Sequence, residues 1–267
     1  MPSYLVILTG ANGGLGKAIA QSWISLPVSG PISLHLVLVG RSKKALDSLK
    51  EELIATQSDF QMELTVSTVS DVDLSQVDEL DEHWGRIKRA TLNKPYDKQY
   101  FILNAGSLGD LSKPISGYTT KSIQTYMDVN VVSTLALTSH FLRHCQETGF
   151  KGKGYLINIS SLLAIQPFPY WGTYAVGKAA RDMIMATVAK EVREDQVRSL
   201  SYAPGPLDGL MQEAVRTSLG DLEQQSTYQK MHQEGKLVTC KDSATKLIHL
   251  LLEDAFASGS HVDYFDE

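Results

Sequence analysis

The stretch "TGANGGLG", Thr9 to Gly16, decides the fold. It follows the apolar run "YLVIL" (4–8) and leads into the helical pattern "KAIAQSWI" (17–24). Glycines let the backbone turn tightly and come close to a bound group, and a helix N-terminus leaves N–H groups free. Together they make a cradle for phosphate, since free N–H groups and the helix dipole both favour an anion. A glycine turn alone is weak evidence, because any tight strand-to-helix connection can look the same.

Working outward, short aliphatic or β-branched runs recur: "LHLVLV" (34–39), "MELTVS" (62–67), "QYFIL" (99–103), "GYLINI" (154–159) and "VRSLSYA" (197–203). Each reads as a strand. Helical patterns such as 42–56 and 130–146 lie between them. Alternation of this kind calls for a parallel sheet covered on both faces, because parallel neighbours need crossover connections. The expectation is a single doubly wound, Rossmann-type α/β domain over residues 1–267, with no repeat, low-complexity tract or linker to mark a boundary. The charged stretch "DELDEHWGRIKRA" (78–90) reads as a solvated helix face and is assigned no function.

Composition excludes several classes of function. A chain of 267 residues, 43% hydrophobic and 21% charged, suits a globular fold with a sizeable core. The formal charge of −5 is spread along the chain, so neither a nucleic-acid footprint nor a polybasic membrane patch is present. No apolar run approaches the length needed to span a bilayer, and "MPSYLVILTG" reads as a first strand rather than a signal peptide. Cys145 and Cys240 lie far apart and form no metal-ligand spacing, which suits free thiols in a reducing compartment and gives a cytoplasmic expectation. The seven histidines form no H-E-x-x-H cluster, and no metal site is expected.

The second strand selects the nucleotide. An Asp or Glu at its end holds the ribose hydroxyls of NAD, whereas a basic residue suits a 2′-phosphate. Here it ends "LVLVGRSKK" (36–44). Arg41 can fork onto a phosphate and Ser42 can donate to it, while Lys43 and Lys44 read equally well as a basic first turn on a surface helix. The cofactor expectation is NADP(H).

"TYAVGK" (173–178) places Tyr174 and Lys178 four residues apart, on one helix face. A free phenol titrates at about 10, and a nearby cation lowers such a value by roughly 1 to 3 units, towards neutrality. Such a phenol can protonate a carbonyl oxygen as hydride reaches the carbon. Ser161, at the end of the strand in "NISS", can donate a hydrogen bond to the same oxygen. A Tyr-x-x-x-Lys pair by itself is more often an ordinary helix face; the glycine turn and the serine make it specific.

With these motifs in place the chain resembles the short-chain dehydrogenase/reductase family. The pattern is carried by Gly10, Gly14 and Gly16, by "NAG" (Asn104, Ala105, Gly106), by Asn130 in "MDVN", by Ser161, by Tyr174 with Lys178, and by Pro204-Gly205. The resemblance implies that Lys178 also holds the nicotinamide ribose and that Asn130 completes a catalytic tetrad through a water relay. It implies that Asp71 and Val72 border the adenine, and that Asn12, Gly13 and Leu15 of the turn line the cofactor, as do Leu207, Asp208 and Met211. Two departures stand out. Many NADP-dependent relatives carry an arginine inside the glycine turn, where this chain has Gly13, and many carry a threonine after "PGPLD", where it has Gly209. More of the cofactor selection then rests on Arg41 and Ser42.

A narrower likeness, to the pterin-reducing members of that family, is carried by "NAGSLGD" (104–110), "ISSLLAIQPF" (159–168), "GKAARDM" (177–183), "YAPGPLD" (202–208) and the ending "SGSHVDYFDE". It implies reduction of a pterin side-chain carbonyl, with Asp263 accepting the two adjacent N–H donors of the pterin through one carboxylate. Without that likeness Asp263 reads as a surface acid in a chain end. Leu162, Trp171, Gly205 and Met211 are implied pocket residues, and Phe168 reads equally as a pocket wall or as core packing, under a substrate-covering segment at about 206–240. A homodimer is implied, joined through helices around 120–146 and 174–192. Two other functions stay open: a broad-specificity NADPH-dependent carbonyl or diketone reductase, and an NADPH-sensing binding protein without turnover.

Overall fold

Strands β1 (Ser3–Thr9), β2 (Ile32–Val39), β3 (Met62–Val69), β4 (Lys98–Leu103), β5 (Lys153–Ile159), β6 (Val197–Ala203) and β7 (Ser260–Asp263) form one parallel sheet. Their spatial order is β3-β2-β1-β4-β5-β6-β7. The computed structural model describes residues 1–25, 30–57, 62–92, 94–147, 150 and 152–266; Glu267, the last residue of the quoted ending, lies outside them. The helices are α1 (Gly14–Ile24), α2 (Lys43–Thr56), α3 (Leu80–Ala90), α4 (Thr120–Met127), α5 (Ser133–Gln146), α6 (Gly172–Glu191), α7 (Leu210–Ser218), α8 (Leu222–Gln233) and α9 (Cys240–Glu253). The doubly wound α/β expectation is borne out, and every strand read from the sequence is present.

Side chains alternate across each strand, so the sheet carries a core on either face. On one face Val6 and Leu8 of β1 pack with Trp23 of α1, Leu49 of α2 and Leu247 of α9. On the other, Leu5 and Ile7 pack with Trp84 of α3, Phe141 of α5 and Met185 of α6. Strands buried on both faces read as continuous apolar runs, which is why they were legible. From β1 the chain steps outward through β2 to β3, then returns to β4 on the other side of β1 and runs on to β7. The loops after β1 and β4 therefore part at the C-terminal edge of the sheet and open a crevice there, where ligands of such sheets bind.

One reading changes. The helix placed at 130–146 is part of a longer rod: α4 begins at Thr120, capped by a reciprocal Thr119–Ser122 pair, and joins α5 through a π-type turn over Asp128–Val132. The β-branched "VNVV" within that turn masks helical periodicity, and packing overrides it. The charged 78–90 stretch does present a solvated helix face, while Leu80, His83, Trp84 and Ile87 are buried at helical spacing on the other side of α3. No described helix is long and apolar enough to cross a membrane.

Candidate active site

The glycine turn is built to a tolerance that admits no side chain at one point. Gly10 has φ of 63°, and a Cβ on Gly16 would lie 2.2 Å from the Gly10 carbonyl oxygen. The turn is tied to the loop after β4: the Asn104 side chain donates to the carbonyls of Thr9 (3.0 Å) and Gly10 (3.1 Å). In return the Thr9 hydroxyl accepts from the backbone N–H of Asn104 and Ala105. Asn104 is thus a brace between the two sides of the crevice. Leu15 is buried in the core, so only its backbone can meet a cofactor. Gly13 is different: its φ is −91°, and the nearest atom to an added Cβ is the Gly10 oxygen at 3.6 Å. Close backbone approach at Gly10 and Gly16, over the N-terminus of α1, fits the diphosphate of a dinucleotide.

The ends of β2 and β3 are locked together. The N–H of Asp71 donates to the Arg41 carbonyl and that of Val72 to the Gly40 carbonyl, both at 3.2 Å. Val72 is buried, while the Arg41 side chain is exposed. Ser42 caps α2, accepting from the Ala45 N–H at 3.3 Å, which leaves its own hydroxyl hydrogen to donate. Arg41, Ser42, Asp71 and Val72 thereby meet at one edge. Arg86, to which the sequence reading gave no role, donates to the carbonyls of Ser70 and Asp71 behind them.

Ser161 follows β5 and caps a short 3₁₀ turn at Leu162–Ala164, its hydroxyl accepting from the Leu163 N–H at 3.2 Å. Tyr174 and Lys178 stand one turn apart in α6. The Lys178 ammonium lies 5.4 Å from the Tyr174 ring centroid and donates to the Ile159 carbonyl at 2.7 Å. Asn130 is buried, with both ends of its side-chain amide bonded: Oδ1 accepts from the Ser107 N–H (2.8 Å) and Nδ2 donates to the Tyr126 carbonyl (2.9 Å) and the Ser107 hydroxyl. Asn130 holds the loop after β4 through these bonds. Gly106 sits beside it; a Cβ there would come within 3.0 Å of Asn130 Oδ1.

One expectation needs correction. The Tyr174 phenol is held above its ordinary value, chiefly by burial; a hydrogen bond with Ser161 and the charge of Arg181 pull it partly back. Lys178 is pushed far down by burial and then by Arg181. Two groups that share a desolvated site both resist ionisation, and that outweighs the attraction read from their spacing. A phenol that keeps its proton at neutral pH is still the form that an acid catalyst needs.

The sequence reading missed the polar layer under this pair. Arg181 is fully buried and donates through Nε to Asn158 Oδ1 at 2.7 Å and through Nη1 to the Ala105 carbonyl at 3.0 Å. Its neighbour Asp182 accepts from the Ser160 hydroxyl and from Asn158 Nδ2, and pairs with His261 Nδ1 at 2.6 Å. "KAARD" carried both residues in plain view, but burial of a charge has no sequence period.

On the substrate side, β7 pairs with β6 so that Asp263 stands opposite Ala203, next to Pro204-Gly205. Its carboxylate accepts from the Phe265 N–H at 3.0 Å, and Lys246 donates to the Tyr264 and Asp266 carbonyls, so the chain end around it is held. Gly205 has φ of 77°. The Pro204 carbonyl accepts from Ser243, Leu207 forms a bridge with Val238, and Asp208 donates to the Val238 carbonyl, which fixes the entry to α7. Leu162 and Met211 are exposed. Trp171 is buried: its ring edge meets Tyr174 at 5.5 Å between centroids, its N–H goes to Gln224 of α8, and Phe168 packs on the same small core.

Comparison with known proteins identifies the family. The family model for short chain dehydrogenase matches residues 4–220. Sepiapterin reductase of Rattus norvegicus is 39% identical over 261 residues, covering 97% of this chain and 95% of the relative. Benzil reductase ((S)-benzoin forming) of Bacillus cereus is 28% identical over 95% of this chain and 96% of its own length. Among solved structures, the KRED1-Pglu enzyme superposes with a TM-score of 0.80 at 24% identity, over 97% of this chain and 100% of that one. The chain belongs to the short-chain dehydrogenase family and is an oxidoreductase that works with a nicotinamide cofactor.

Proposed function

We propose that the protein is an NADPH-dependent reductase of pterin side-chain carbonyls, taking sepiapterin or 6-pyruvoyl-tetrahydropterin as in tetrahydrobiopterin synthesis. The observation that carries this reading is the place of Asp263, at the C-terminal end of β7 beside Gly205, on the same sheet edge as Ser161 after β5. A carboxylate there offers two oxygens to adjacent N–H donors of a flat heterocycle. The near full-length likeness to sepiapterin reductases supports the same substrate class.

In this reading Tyr174 gives its proton to the substrate oxygen and Ser161 donates a hydrogen bond to it as charge develops. Lys178 orients the nicotinamide ribose, and Asn130 keeps the loop after β4 in register and links the site to solvent for reprotonation. The glycine turn from Gly10 to Gly16 takes the diphosphate, while Arg41 and Ser42 read the 2′-phosphate. A bound dihydronicotinamide supplies the hydride. Leu162, Met211 and the 206–240 segment, which packs α7 and α8 over Trp171, cover the substrate. The exposed Ile123, Leu135, Val176 and Met183 on α4, α5 and α6 support a homodimer through these helices, measurable by light scattering. The unpaired Cys145 and Cys240 fit a cytoplasmic address.

The deciding experiment is NADPH consumption with sepiapterin beside a non-pterin diketone, for wild type and Asp263→Ala. The expected result is loss of sepiapterin reduction in the variant with diketone reduction retained. Equal rates for wild type and variant on both substrates would favour the second reading, a broad-specificity diketone reductase, which the likeness to benzil reductase supports. No NADPH oxidation with any carbonyl would leave a nucleotide-sensing protein.

A further inference from the structure

Arg181 is the largest charged side chain buried at the base of the site. It shows 0% exposure and lies one turn beyond Lys178 on α6. It donates to the Leu103 and Ala105 carbonyls, at the end of β4 and in the loop beyond it, and to Asn158 Oδ1 on β5. None of these three acceptors is a carboxylate. Asp182, next in sequence, spends its oxygens on Ser160, Asn158 and His261. Removing a guanidinium from water without a contacting counter-charge is costly, and a hydrophobic side chain would fill the same space more cheaply. The charge therefore needs a use.

We propose that Arg181 is a positioning residue of the reduction: a fixed buried cation that ties the loop after β4 to α6 and sets the field around the Tyr174–Lys178 pair. This rests on the reductase reading above and deepens it. The geometry gives the tie directly, since Nη1 holds the Ala105 carbonyl and lies 3.3 Å from where a Gly106 side chain would begin. The field follows from the neighbours on every side. Lys178 and Tyr174 lie on the same helix, Tyr126 packs from α4 with its hydroxyl 3.5 Å from the Tyr174 carbonyl, Tyr228 faces Trp171 from α8, and Asp182 with His261 closes the β7 side. Burial draws the Arg181 guanidinium down to about 10, so it stays charged at neutral pH. That charge favours the phenolate of Tyr174 and disfavours the ammonium of Lys178. Arg181 thereby supplies the acidifying charge that spacing alone would assign to Lys178.

The test compares Arg181→Met and Arg181→Lys with wild type. Two readouts are the basic limb of the kcat–pH profile for sepiapterin reduction and the titration of Tyr174 by ¹³Cζ-tyrosine NMR, assigned with Tyr174→Phe. In Arg181→Met the limb and the Tyr174 titration are expected to move up by about one pH unit, with kcat at pH 7 lower by roughly ten-fold. Arg181→Lys keeps the charge, so both midpoints return to the wild-type position, while kcat stays below wild type because one ammonium cannot span three acceptors. Midpoints unchanged in Arg181→Met, or shifted alike in both variants, would overturn the proposal. Arg181→Gln replaces Arg181→Met if the latter does not fold. If neither neutral variant folds while Arg181→Lys does, the buried charge serves the fold alone and the proposal is again overturned. Should wild type oxidise no NADPH with any carbonyl, the reductase reading fails, and the NMR titration still decides the role of Arg181.

Discussion

The Lys178 ammonium and the Tyr174 phenol share one helix face, yet the lysine gives its short 2.7 Å bond to the Ile159 carbonyl and stands 5.4 Å from the tyrosine ring. The lysine is anchored to the end of β5 and makes its hydrogen bond there. Tyr174 is left as an acid that keeps its proton. Tyr174→Phe is expected to lower kcat by roughly 10² to 10⁴-fold while NADPH affinity is unchanged, since it removes the acid and little else. Stopped-flow reduction beside fluorescence titration of NADPH separates the two; equal loss in both would count against the role.

Arg41 is exposed at the end of β2 beside Asp71 and Val72, where a 2′-phosphate would meet it. Arg41→Ala should weaken NADPH by roughly ten-fold or more and leave NADH nearly unaffected, because a charge-assisted bond is worth about 1.5 to 3 kcal/mol. Paired Kd measurements for the two nucleotides check this. A uniform loss would mean that Arg41 does not read the phosphate.

Gly13 has an ordinary φ, and an added Cβ would make only an ordinary contact, 3.6 Å from the Gly10 oxygen, unlike at Gly16. Gly13→Arg is therefore expected to fold normally and to tighten NADPH several-fold over NADH, whereas Gly16→Ala should abolish cofactor binding through the clash with the Gly10 carbonyl. Thermal shift with and without NADPH reads both.

The buried His35 donates from Nδ1 to the Tyr96 hydroxyl, which itself donates to the Thr91 carbonyl, and its Nε2 accepts from Ser67. Burial, aided by the charge of Lys94, lowers its pKa to about 4. The unfolded chain then binds a proton at higher pH than the folded one, so this group's stability is present above about pH 6.5 and lost as pH falls towards 4. Chemical denaturation should show roughly 2 kcal/mol of His35-dependent loss between pH 7 and pH 5. A His35→Gln variant should show a correspondingly flatter profile, and an equal slope in both would refute the assignment.

Gly209 caps α7 in extended backbone, with no side-chain bond to the first turn and open space around it. Gly209→Ser can accept from an N–H of that turn, and a gain of about 0.5 kcal/mol is expected from capping and reduced chain entropy. Urea titration measures it.

The sequence by itself determined the alternation of strands and helices, the glycine turn, and the meeting of Tyr174 with Lys178. Each of these is a matter of local period or short spacing, which the backbone enforces wherever the segment lies. It also carried Ser161 and Arg41 at strand ends, because a parallel sheet sends those ends to one edge. Tertiary structure alone decided the rest. Asp263 becomes part of the site edge only through pairing of β7 with β6, and Asn130 is held by a loop more than twenty residues away. Above all, the protonation of Tyr174 and the burial of Arg181 depend on how much water the surrounding elements exclude. Desolvation is a property of the assembled neighbours, and no spacing along one helix records it.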